Sequence, residues 1–105
     1  MRILFDQGVP LPLRKHFPSH TVATAFERGW SALENGASLA EAQREFDLFV
    51  TTDKNLRYQQ NMANRRIAVA VLPTTQWPVL AKYVDTIGAQ IDAVPPGGFV
   101  EILIG

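Results

Sequence analysis

Phe46-Asp-Leu-Phe-Val-Thr-Thr-Asp-Lys-Asn55 is the stretch from which the rest of the chain can be read. Leu48, Phe49 and Val50 form a short apolar run of strand-forming residues, the pattern of a parallel strand covered on both faces. The run gives way abruptly to Thr51, Thr52, Asp53 and Asn55. Hydroxyls, an acid and an amide therefore crowd the carboxyl end of a central strand, where open α/β sheets bind their ligands. Asp53 is the first candidate site residue.

The same grammar, apolar strand then acid then turn, recurs at the start of the chain, where Arg2 to Phe5 is followed by Asp6-Gln7-Gly8. Ile67 to Leu72 is apolar at every position and reads as a second buried parallel strand. His20 to Ala25 is a further strand, with a turn at Gly29, and Phe99 to Ile104 a last one, of open direction, after the Pro95–Gly98 turn. Between them lie helical stretches. Leu11 to Phe17 has Pro10 or Pro12 near its first turn, where a missing N–H costs little, and is stopped by Pro18. Ser38 and Glu41 make a capping box ahead of a helix to about Phe46, with Leu39, Ala42 and Phe46 toward the sheet. Leu56 to Asn64 is a polar helix, and Pro78 to Ile91 carries Leu80, Val84, Ile87 and Ile91 at helical spacing. Strands alternating with helices predict an α/β fold on a mainly parallel sheet of four to five strands.

A chain of 105 residues that is 47% hydrophobic suffices for one core, so residues 1–105 are expected to form a single domain. Ten basic and ten acidic residues cancel, which removes any whole-molecule attraction to nucleic acid or to an anionic membrane. Basic character must then be local. Arg57, Arg65 and Arg66, with Lys54 and Tyr58, would suit an RNA backbone and a stacked base, although a solvated helix face is the commoner use of such residues. The absence of cysteine excludes disulfides, thiolate metal sites and a cysteine nucleophile, and agrees with the cytoplasm. No apolar run approaches membrane-spanning length, and the acid at position 6 interrupts any signal-peptide core, so no membrane association is expected.

Asp6, Glu27 and Asp53 each fall at the end of a different strand, and parallel strands bring such ends to one edge of the sheet. Converging carboxylates would hold a hard divalent cation such as magnesium or manganese; the alternative is that they are solvated charges in separate loops. Asp47 is the internal control. It starts the strand that Asp53 ends, roughly 20 Å away at about 3.3 Å per residue. Thr51, Thr52 and Asn55 could orient a water or a phosphate, or satisfy backbone groups at the turn. His16 and His20 flank Pro18 at the opposite end and read as turn residues, and Trp30 and Trp77 as core or interface anchors.

Ile3-Leu-Phe-Asp-Gln-Gly-Val-Pro10, Ala23-Thr-Ala-Phe-Glu-Arg-Gly-Trp30, Asn35-Gly36 and Asp47-Leu-Phe-Val-Thr-Thr-Asp-Lys-Asn-Leu-Arg-Tyr-Gln-Gln-Asn61 together resemble small bacterial PIN-like domain proteins, a group similar to the toxin ribonucleases of toxin–antitoxin pairs. The resemblance implies a three-layer α/β/α sandwich in which clustered acids bind magnesium or manganese and hydrolyse RNA phosphodiester bonds. Carried over, the acids are Asp6 and Asp53 as metal ligands and Glu27 as a looser third catalytic match, with Thr51, Thr52, Asn55 and Arg57 toward the substrate. RNA, an antitoxin protein and a second copy of the chain are the implied partners. Similar proteins carry a further acid after the Asn-Gly pair, where this chain has Ala37, which favours one metal over two. That departure also supports a rival reading, a catalytically silent module that pairs with an antitoxin or with itself through Phe99 to Ile104. A phosphoacceptor receiver domain fits less well, because Gln7 follows Asp6 and no lysine ends the final strand.

Overall fold

The computed structural model describes residues 1–29, 42–53 and 66–104. Among these, β1 (Arg2–Phe5), β2 (Thr21–Thr24), β3 (Leu48–Thr51), β4 (Ala68–Val71) and β5 (Phe99–Glu101) pair in the order β2-β1-β3-β4-β5. Every pairing is parallel, so the fold is of the α/β class. The register sets Leu4 beside Phe49 and Phe49 beside Val69, which places the three expected central strands next to one another. The last strand, whose direction the sequence left open, is parallel to β4.

Alternation along the strands divides the core in two. Ile3, Phe5, Leu48, Val50, Ala68 and Ala70 pack on one side with Leu13, Phe17, Leu80, Ile87 and Ile91. Leu4, Phe49, Val69 and Val71 pack on the other with Ala42 and Phe46. All four residues of β3 and of β4 are buried, as strands covered on both faces must be. Of the helix expected over Ser38 to Phe46, Ala42 and Phe46 lie in the core as read, with Phe46 N–H on Ala42 O at 2.8 Å; residues 38–41 lie outside the described residues. The Phe46 ring carries the guanidinium groups of Arg2 and Arg28, each 5.5 Å from its centroid.

Local chemistry explains where elements depart from the expected bounds. Leu11–His16 is a 3₁₀ helix and not an α-helix. The bonds made are of the shorter i to i+3 kind, Leu13 N–H to Pro10 O and Phe17 N–H to Arg14 O. Pro18 then forces Phe17 out of helical geometry, at φ −122° and ψ 57°. The helical stretch after β4 is broken into α1 (Trp77–Leu80), a 3₁₀ turn (Ala81–Tyr83) and α2 (Val84–Asp92), with Leu80, Ile87 and Ile91 buried as their spacing predicts. β5 stops at Glu101, short of Ile104, because the ladder ends with Ile102 N–H on Val71 O. Beyond it, the Gln90 side chain occupies both backbone groups of Leu103, donating to its carbonyl at 2.7 Å and accepting from its N–H at 2.9 Å.

Candidate functional site

In a sheet of order 2-1-3-4-5, chain connections leave β1 and β3 in opposite directions, and the crevice between their carboxyl ends is where such folds take ligands. Asp6 directly follows β1, and Thr51, Thr52 and Asp53 end β3. The Asp6 N–H bonds Val50 O at 2.9 Å, extending the β1–β3 ladder by one step and setting Asp6 beside Thr51. Thr51 is fully buried. Its hydroxyl donates to Asp6 Oδ2 at 2.9 Å and accepts from the Asp53 N–H at 3.1 Å. One buried hydroxyl thus links the Asp6 carboxylate to the Asp53 backbone, which makes Thr51 a positioning residue with its hydrogen-bonding capacity turned inward.

The other Asp6 oxygen accepts from the Gln7 N–H at 2.9 Å, so the partners of this carboxylate are neutral donors. Gly8 closes the loop against Thr52. A Cβ at position 8 would lie 2.5 Å from Thr52 Oγ1, closer than side-chain atoms pack, so glycine is what lets this backbone approach the end of β3. Hard cations take oxygen donors, and magnesium is commonly held by one or two carboxylates, waters and substrate phosphate. The donor set of Asp6, Asp53 and Thr52 fits that demand. Among the described residues no group of three or more His, Asp or Glu side chains gathers as around an ion.

Glu27 lies near this pair but is engaged elsewhere. Its Oε1 accepts from Arg14 Nη2 at 2.7 Å and from the Thr24 N–H at 3.0 Å, while the Glu27 N–H bonds Thr24 Oγ1 at 3.0 Å. Thr24-Ala-Phe-Glu27 is a reciprocal capping box, whose Thr-x-x-Glu spacing is present in the sequence beside the turn expected at Gly29. Gly29 does take the left-handed conformation expected of a turn, with φ 75°. The Arg14 hydrogen bond first, and the Thr24 N–H next, hold the Glu27 carboxyl below its ordinary pKa. Asp6, Gln7, Arg14, Thr24, Phe26 and Glu27 are on the walls of an open cleft of about 770 Å³.

Asp47 lies at the far end of the sheet, as its place in β3 requires. Its Oδ2 accepts from the Arg2 N–H at 2.9 Å, and its own N–H bonds Arg2 O at 2.8 Å. His20 is at that end too, and is more than a turn residue: one ring nitrogen meets the Met1 ammonium at 3.0 Å and the other meets Asp92 Oδ1 at 2.9 Å. Asn55, Arg57, Lys54, Tyr58, Arg65, Trp30 and Ala37 lie outside the described residues. No described helix is long and apolar enough to cross a membrane. No protein-family model, characterised protein or solved structure matches the chain.

Proposed function

We propose that the chain is a metal-dependent ribonuclease of PIN-like type, acting in the cytoplasm, with Asp6 and Asp53 as the ligands of a magnesium or manganese ion. The observation that supports this best is the junction Asp6–Thr51–Asp53, in which one buried hydroxyl at the sheet's switch point bonds the Asp6 carboxylate and the Asp53 backbone N–H. The two buried faces of the sheet support the further proposal that it is the middle layer of an α/β/α sandwich.

When bound, such an ion supplies an activated water and neutralises charge at the scissile phosphate. Asp6 and Asp53 would hold it, and Thr51 fixes the Asp6 carboxylate in one orientation. Thr52, with Asn55 and Arg57 from the following segment, would contact the phosphate strand. Glu27, already bonded to Arg14, would act beside the acid pair and not within it. The neutral net charge means that RNA affinity must come from local contacts, and an antitoxin or a second copy of the chain is the proposed protein partner.

Purified protein incubated with a mixed RNA pool in manganese or magnesium tests the reading. The wild type is expected to cut single-stranded RNA, Asp6→Asn and Asp53→Asn to lose this, and Glu27→Gln to fall between. A pool left uncut in both metals, after removal of any co-purifying antitoxin, would overturn the enzyme reading in favour of the silent binding module. The engagement of Glu27 by Arg14, which leaves a pair of acids rather than a trio, is what favours that second reading.

A further inference from the structure

The cleft beside Asp6 has a composition that the acid pair does not explain. Among its lining residues Phe26 is 76% exposed and Leu11 57% exposed, two large apolar side chains facing water in a small chain. The Arg14–Glu27 ion pair lines the same cleft. Arg14 also carries an Nε–H shielded from solvent and without a partner, a donor whose desolvation a bound acceptor would offset. Glu27 Oε1 accepts both bonds made to that carboxylate, so Oε2 keeps its accepting capacity. The Thr24–Glu27 capping box fixes the turn that bears Phe26, so the ring is presented from a backbone already ordered.

We propose that this cleft is the subsite for an unpaired nucleobase of the RNA strand whose phosphate lies at Asp6, with the base face on Phe26 and its edge on Arg14 and Glu27. The inference rests on the ribonuclease reading and adds to it where, and by what contacts, the strand is gripped. An arginine offers only donors and a carboxylate only acceptors, so the pair matches an edge that has both side by side, as every base has on its Watson–Crick edge. A simple anion would meet one cation against the two carboxylates of Asp6 and Glu27. A wholly apolar ligand would desolvate the ion pair and return nothing to it. A paired base has its edge occupied, so the subsite takes single strands. Asp6 belongs both to the cleft and to the Thr51 junction, which sets the base beside the phosphate it belongs to.

Titration with the 5′-monophosphates of guanosine, adenosine, uridine and cytidine in EDTA, followed by backbone amide shifts, tests the subsite without metal or cleavage. At least one nucleotide is expected to shift the amides of Gln7, Phe26 and Glu27. Phe26→Ala should weaken that binding roughly 5- to 150-fold, the range of base–aromatic stacking, and Phe26→Tyr should restore it. Asp47→Asn, at the far end of the sheet, should leave it unchanged. Nucleotide binding that follows this pattern in a protein that cuts no RNA would sustain the subsite while the nuclease reading fell. RNA cutting with no nucleotide bound, or with Phe26→Ala unaltered, would overturn the subsite and spare the nuclease. Equal shifts with ribose 5-phosphate would show that phosphate and not base is held, and would overturn it too. No binding of any of the four would leave the cleft to a protein partner, again overturning it.

Discussion

The two ends of one parallel sheet hold acids in opposite ways. At the amino end, Asp47 accepts from the Arg2 backbone N–H and Asp92 meets His20, which itself meets the Met1 ammonium. Each acid there ties one segment of chain to another. At the carboxyl end, Asp6 is held by a threonine hydroxyl and a backbone N–H, and the same hydroxyl brings the Asp53 backbone alongside. No described cation is bonded to Asp6, whose partners are the Thr51 hydroxyl and the Gln7 N–H. The amino-end acids tie segments of chain together; under the function proposed above, the carboxyl-end pair is arranged instead for binding, at some expense of stability.

The sharpest way to break this contrast is to exchange the readouts. Asp6→Asn is expected to lower magnesium or manganese affinity, measured by calorimetry, by at least ~100-fold, the upper end of what even an outer partner of a metal ligand costs. Its stability should stay within about 0.5 kcal/mol of wild type or rise, because asparagine keeps an acceptor for Thr51 and removes a like charge. Asp47→Ala should do the reverse, leaving metal affinity unchanged and costing about 1 kcal/mol for the lost acceptor of the Arg2 N–H. Denaturant unfolding of the two variants decides it. If Asp6→Asn destabilises as Asp47→Ala does and binds metal like wild type, both ends are structural and the contrast collapses.

Thr51→Val sharpens the contrast at its pivot. Valine keeps the shape of the buried side chain, so the loss is confined to the hydroxyl and its two bonds. A cost of about 1–3 kcal/mol is expected, since a buried partner is left unpaired, together with a 10- to 100-fold loss of metal affinity from an unsteadied Asp6. Thr51→Ser should restore the affinity. Metal binding that is indifferent to both changes would mean that Thr51 serves packing alone.

How much of this could be read beforehand follows from how local each signal is. Leu48–Val50 and Ile67–Leu72 were legible as central strands because a strand buried on both faces needs no partner to be recognised. Asp6 and Asp53 followed, because parallel neighbours in register put residues after their last apolar positions on one edge. The inward turn of Thr51 was not legible, since a hydroxyl at a strand end serves solvent, backbone or neighbour equally well until the pairing is known. Glu27 groups with these acids by its place after a strand and by a looser resemblance. Its Arg14 partner comes from a 3₁₀ helix across the cleft, a contact that spacing cannot foresee. The Gln90 side chain on Leu103, which mimics a peptide group just beyond β5, is likewise a contact between distant segments that spacing cannot foresee.

Glu27 gives the smallest expected effect and the most specific one. It stands at the carboxyl end of the sheet yet is paired like an amino-end acid, so it should behave as a stabilising group. The Arg14 hydrogen bond and the Thr24 N–H favour its charged form in the folded chain, which lowers its pKa below the ordinary 4.5. For a carboxyl with a depressed folded pKa, the stabilisation is fully present above the unfolded value and is lost as pH falls through the folded one. Melting curves of wild type and Glu27→Gln between pH 7 and 3 should therefore run in parallel down to about 4.5 and then converge, because only the wild type has this charge to lose. The difference between the two curves isolates Glu27 from other titrating acids. The gap should be small, since the Glu27 side chain is 49% exposed and solvent screens such pairs. A difference that is flat across the whole range would show that the Arg14–Glu27 pair contributes nothing to folding, and would leave Glu27 grouped with Asp6 and Asp53.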